Sequence, residues 1–121
     1  VRQRGAALFE GKSKLRARIL GSEELLPDDT VTCSNCHPIE PVLGTSRDGV
    51  SPDFAPRLGP SSLKQERRRR GGPPTRYDQA ALCRVLRDGV DPAHIVIPDS
   101  MPRYDINQAD CEALWTYLTV P

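Results

Sequence analysis

The chain has 121 residues, a length that suits one domain with a single modest core. Hydrophobic residues make up 37% and aromatics 5%, while twelve prolines and nine glycines call for much irregular backbone, so the chain is poorly supplied to fill its own centre. A formal net charge of +1 sets up no strong field for nucleic acid or anionic lipid, and no apolar run approaches the length of a membrane span.

In chain order, Arg2 to Lys12 reads as a first helix, with Val1, Gly5, Leu8 and Phe9 on one stripe and Gly11 near its end. The start at Val1, without a secretory leader, reads as a mature or trimmed form. An irregular stretch follows, with Leu15, Ile19, Leu25 and Leu26 as anchors and Pro27 as a stop. Thr30 to His37 is a short turn-helix candidate carrying two cysteines, and Pro38 to Pro60 is a long connection rich in Pro, Gly, Ser and Asp. Ser61 or Ser62 is placed to cap a short helix that ends at Gly71-Gly72, its face from Lys64 to Arg70 almost wholly charged.

Pro73-Pro74 breaks the chain before a clearer helix with Asp78 as N-cap, Ala81, Leu82, Val85 and Leu86 as apolar stripe, and Gly89 as its close. Asp91 to Tyr104 reads as a loop holding His94, Pro98, Met101 and Pro102. The last helix runs from an Asn107 cap to about Leu118, with Cys111, Leu114, Trp115 and Leu118 on its inner face. No segment alternates convincingly as a strand, so the expected fold is all-α, with about four to five helices and long loops.

The chemistry lies in Cys33-Ser34-Asn35-Cys36-His37, the Cys-x-x-Cys-His signature of c-type haem attachment. Two thiols one turn apart can each add across a vinyl group on one porphyrin edge, and the adjacent imidazole then lies under the iron. A zinc site would need two further ligands, and Cys83, His94 and Cys111 are scattered. A thioredoxin-type pair would need a βαβ setting, and a disulfide across so short a span is strained. Haem is the favoured reading among these.

With these residues in view, the chain resembles the monohaem class I cytochrome c family over most of its length. Gly5 and Phe9 on the first helix and Leu114 and Tyr117 on the last look like that family's crossed terminal helices. Pro56-Arg57-Leu58 looks like its Pro-x-Leu segment, in which the proline carbonyl receives the proximal histidine's N–H and the leucine packs on the haem; Pro52 is the competing proline. Met101-Pro102-Arg103-Tyr104 resembles the distal-ligand loop that precedes the closing helix. The resemblance implies a cytochrome c-like fold around one covalent haem c, with iron held by His37 and Met101. Residues 13–30 and 38–60 are longer than the shortest members need, and Pro38 stands where a small residue commonly follows the motif.

Met101 is the only methionine, and its thioether would raise the potential of a His-ligated iron. Its polar and proline neighbours make it a poor core filler. His94 is the alternative ligand, and an open iron the third possibility. A six-coordinate iron leaves no vacant site, which points to electron transfer rather than bond-making. Once haem takes two cysteines, Cys83 and Cys111 form an even remainder, expected to be bonded in an oxidising compartment; two buried free thiols are the alternative. Lys64 to Arg70 reads as a solvated helix face, with docking to an acidic redox partner or pairing with haem propionates as the functional alternatives. Trp115 and Tyr104 read as packing and propionate-side contacts. The expected function is single-electron relay in the bacterial periplasm between a donor dehydrogenase or membrane complex and an acceptor oxidase or cytochrome, by a protein that is not itself an enzyme. The other classes are a haem sensor in which Met101 is displaced and a small peroxidase using His94.

Overall fold

The computed structural model describes residues 1–19, 21–27, 31–37, 39 and 57–120. In chain order these form α1 (Arg2–Glu10), β1 (Arg16–Arg18), a 3-10 turn (Cys33–Asn35), α2 (Pro60–Lys64), β2 (Arg67–Arg68), β3 (Pro74–Thr75), α3 (Gln79–Asp88), β4 (Arg103–Asp105) and α4 (Gln108–Thr119). The all-α expectation is therefore corrected: the fold is mixed, with four helices and two small antiparallel ladders among the described residues, β1 with β4 and β2 with β3. None of these helices is long and apolar enough to cross a membrane.

Each strand has two or three residues, too few to show the alternation over four to eight residues by which a strand is read from sequence. In the first ladder Arg16 faces Asp105, Ala17 faces Tyr104 and Arg18 faces Arg103. This draws the irregular stretch after α1 onto the segment just before α4. What looked like two loops is one paired element.

The second ladder replaces half of an expected helix. Pro60 starts α2, where its missing N–H costs nothing, and the Gly59 N–H donates to Ser62 Oγ at 3.0 Å. Thus Ser62 caps from inside the first turn. The helix ends at Lys64 and Gln65 is extended, because Glu66 to Arg70 offers no apolar face to bury. The chain instead turns back through Arg70 (φ 52°) and Gly71 (φ 76°), with the Gly72 N–H donating to Arg69 C=O at 2.8 Å. Positive φ at both central residues is the hairpin turn whose twist suits paired strands.

Two of the four arginines act as fasteners, Arg69 half-buried and Arg70 from an exposed position. Arg69 stacks on the Tyr77 ring, 4.9 Å from its centroid, and donates to Ser62 C=O at 2.7 Å. Arg70 Nη1 meets Asp91 Oδ2 at 2.6 Å, and Asp91 is wholly buried, its other oxygen accepting the N–H groups of Ala93 (2.9 Å) and Ile95 (3.0 Å).

The main helix contact crosses α1 over α4. Gly5 is buried there, and a Cβ built on it would lie 2.0 Å from the Ala113 carbonyl oxygen and 2.6 Å from Tyr117 Cβ. Hydrogen alone allows this approach. The Phe9 and Tyr117 rings flank it at 5.7 Å, and Arg4 Nε reaches Asp110 Oδ1 at 3.0 Å. Asp78 and Asn107 cap α3 and α4 as their sequences indicate, accepting from Ala81 N (2.7 Å) and Asp110 N (2.8 Å). Cys83 on α3 and Cys111 on α4 are joined, Cα to Cα 5.6 Å, the pairing that the even remainder suggested.

Candidate functional site

The site is built on the turn that holds the cysteine motif. Thr32 is extended, and the chain then winds tightly: Asn35 N–H donates to Thr32 C=O (3.1 Å), while the N–H groups of Cys36 (3.2 Å) and His37 (3.0 Å) converge on Cys33 C=O. In a 3-10 turn residues three apart eclipse, which aligns positions 33 and 36. Both thiols are unbonded and half-buried, and His37 follows at once, also half-buried.

Neighbouring elements hold this turn from two sides. Gly11 ends α1 in the left-handed conformation and lies against the Thr32 side chain. From β4, the buried Tyr104 donates its hydroxyl to Val31 C=O and adjoins the Cys33 thiol. Burial above all, then the neighbouring Cys33, holds the Tyr104 phenol well above its usual range. That hydroxyl is thus engaged by the backbone two residues before Cys33.

Burial also pushes the Cys33 thiol up to about 11, with Cys36 adding a little and the Tyr104 hydrogen bond pulling the other way. Among the described residues no three His, Cys, Asp or Glu side chains gather as a metal-binding group, and Cys83 and Cys111 are committed to each other.

The remaining expected residues fall as follows. Pro56, Pro52 and Pro38 lie outside the described residues. Leu58 is bridged in parallel to Ile39, two positions beyond His37, so the end of the Pro-x-Leu segment runs beside the motif. Cys33, Ile39, Leu58 and Met101 are each half-buried and packed against the core, with part of their surface left outside it. Met101 sits in the loop before β4, its N–H donating to Pro98 C=O (3.2 Å) and its carbonyl accepting from Arg103 Nη1 (2.6 Å). The link between the motif and Met101 runs through β4, where Tyr104 grips Val31 and Arg103 grips Met101. His94 is exposed at a turn with φ 63°, a poor position for an axial ligand. Trp115 is half-buried against the core.

Two residues that matter to the site were not found by sequence reasoning. Asp91 had a usable signal, since Asp-Pro initiates a turn closed by the aspartate itself. Arg103 had none: an arginine after Met-Pro looks like surface, yet it is 6% exposed. A solvent-open hollow of about 380 Å³ lies elsewhere, lined among others by Lys14, Arg16, Asp105 and Asp110, and no motif residue borders it.

A covalently held haem asks of the protein two thiols in one turn and axial donors from opposite sides, not a cluster of ligands. Here Cys33, Cys36 and the adjacent His37 lie in one turn, and Met101 lies in the loop before β4. Compared with protein-family models, curated proteins and solved structures, the chain matches nothing, so its likeness to the class I cytochromes rests on the residues named above.

Proposed function

We propose that the chain is a monohaem c-type cytochrome that relays single electrons between redox proteins in the bacterial periplasm. The observation that carries this reading is the tightly wound Cys33–His37 turn with both thiols unbonded, although an oxidised pair, Cys83–Cys111, exists in the same chain. Cys33 and Cys36 hold haem c as thioethers, His37 is the proximal iron ligand, and Met101 is the distal one. When bound, haem supplies reversible one-electron chemistry between Fe(III) and Fe(II).

The chain's own residues set the conditions for that chemistry. Leu58 and Ile39 offer apolar surface beside the motif, which limits water near the iron. Tyr104 fixes the motif turn to β4, and the disulfide ties the helices that bracket the Met101 loop. His37 and Met101, if both held the iron, would leave no open position for a substrate, which suits a chain that passes electrons rather than transforming a bound molecule. A donor dehydrogenase or membrane complex and an acceptor oxidase or cytochrome are the partners this role requires.

The test is expression in a host that attaches haem, followed by intact mass and optical spectra of both redox states with and without carbon monoxide. The expected protein is red, heavier by one haem after denaturation, and slow to bind carbon monoxide when reduced. The double variant Cys33→Ala/Cys36→Ala loses the covalent pigment. A colourless wild type with the mass of the bare chain overturns the proposal, and rapid carbon monoxide binding overturns Met101 as ligand.

A further inference from the structure

We infer that Arg103 is a positioning residue: its buried guanidinium holds the Met101 loop in the shape that presents the thioether to the iron. This rests on the function proposed above. The thioether is a weak ligand, so where its backbone is held decides whether it stays bound. Apart from the Met101 N–H bond to Pro98 C=O, its immediate neighbours Pro98, Asp99 and Ser100 are exposed and offer it no packing.

Arg103 supplies the hold. Nη1 donates to Met101 C=O (2.6 Å) and to Pro98 C=O (3.3 Å), and Nη2 donates to Ile97 C=O (2.9 Å). Three carbonyls of one five-residue loop thus converge on one planar fork. Room for the fork comes from Gly89, the left-handed residue that ends α3: a Cβ there would lie 2.1 Å from Arg103 Nε and 2.3 Å from Cζ. The same glycine accepts from Ile97 N–H at 2.8 Å. The backbone of Arg103 is itself pinned, paired with Arg18 across the β1–β4 ladder and followed by Tyr104, whose hydroxyl holds Val31. A continuous set of bonds therefore runs from the motif turn to the distal loop.

The charge balance points the same way. The nearest carboxylate, Asp99, is 3.9 Å away and 68% exposed, so carbonyl dipoles, with those at the end of α3, carry most of the compensation. An apolar side chain could fill this volume without burying a cation. Only a planar side chain with several donors can gather three carbonyls, which lysine, a point charge on a flexible stem, does not do.

The experiment uses the matured, haem-loaded protein and reads the near-infrared sulfur-to-iron band of the oxidised form and carbon monoxide affinity of the reduced form. Met101→Ala sets the open limit. Arg103→Gln and Arg103→Lys are both expected to weaken the band and raise carbon monoxide affinity by about tenfold or more, the scale of losing charge-assisted hydrogen bonds that hold the closed loop. Asp99→Asn should leave both readings unchanged. If Arg103→Lys matches the wild type while Arg103→Gln does not, charge rather than the fork is responsible and the positioning role is overturned. If both Arg103 variants match the wild type while Met101→Ala differs, the positioning role falls and Met101 ligation stands. If Met101→Ala also matches the wild type, ligation falls and this inference with it. Failure of both Arg103 variants to accumulate marks a structural residue and equally overturns the proposal.

Discussion

Replacing Gly5 with alanine tests the crossing of the terminal helices. In an isolated helix the change would stabilise by about 1 kcal/mol, because alanine is the better helix former and Gly5 has no positive φ to protect. In the fold, the added methyl would sit 2.0 Å from the Ala113 carbonyl oxygen, 2.7 Å from its carbon and 2.6 Å from Tyr117 Cβ. Two of these three atoms are backbone, so no rotamer change relieves the clash and the helices must move apart by roughly an ångström or more, loosening Phe9 on Tyr117 and Arg4 on Asp110 as well. Overpacking of this kind costs about 1–3 kcal/mol and often more against backbone. Packing therefore outweighs propensity, for a net loss of about 1–3 kcal/mol and a fall in melting temperature on the order of 5–10 °C. Urea and thermal unfolding followed by far-UV circular dichroism provide the measurement, with the exposed Glu112→Ala on α4 as control. Ala113→Gly added to Gly5→Ala should not restore stability, since the obstruction is the carbonyl rather than the Ala113 methyl. A Gly5→Ala protein as stable as the wild type, or more so, would show that the helices do not cross this closely.

Other residues give predictions of comparable size. Cys83→Ala/Cys111→Ala opens a loop with a sequence separation of 28 and should cost about 3–4 kcal/mol in the chain-entropy account, read from the urea midpoint. For the wild type, intact mass after reduction should rise by two hydrogens. Asp91→Ala strands two backbone N–H groups and Arg70, and should destabilise by about 3 kcal/mol or more. Arg70→Ala leaves those two N–H bonds in place and should cost distinctly less; an equal loss would contradict Asp91 as the hub of its loop. Tyr104→Phe removes the donor from a buried carbonyl and should cost about 1–3 kcal/mol, accompanied by faster amide exchange in the motif turn.

The helices that carry their own start and stop signals are legible in the amino-acid sequence. Asp78 and Gly89 bound α3, Asn107 opens α4, and the stripes Leu8–Phe9 and Leu82–Val85–Leu86 are the ones buried. These signals are local, each set by a few neighbouring side chains and backbone groups. The segment from Lys64 to Arg70 is exposed apart from the half-buried Arg69, as a charged run suggests, but composition alone does not show that it leaves the helix to pair as a strand or which arginines fasten it. Stacking on Tyr77 and pairing with Asp91 depend on residues up to 21 positions away.

The signal of the Cys33–His37 motif is equally local, because its two thiols and imidazole fall within five residues. The amino-acid order by itself therefore determined the Cys33-to-His37 spacing and the caps of α3 and α4. Tertiary structure alone decided that the stretch after α1 pairs with β4, that Tyr104 faces Val31, and that Arg103 is buried against the Met101 carbonyl. Strands of two or three residues carry no periodic signal, and a buried guanidinium is stable only where carbonyls from a distant loop and the gap left by Gly89 arrive together. Such coincidences exist only once the chain has folded.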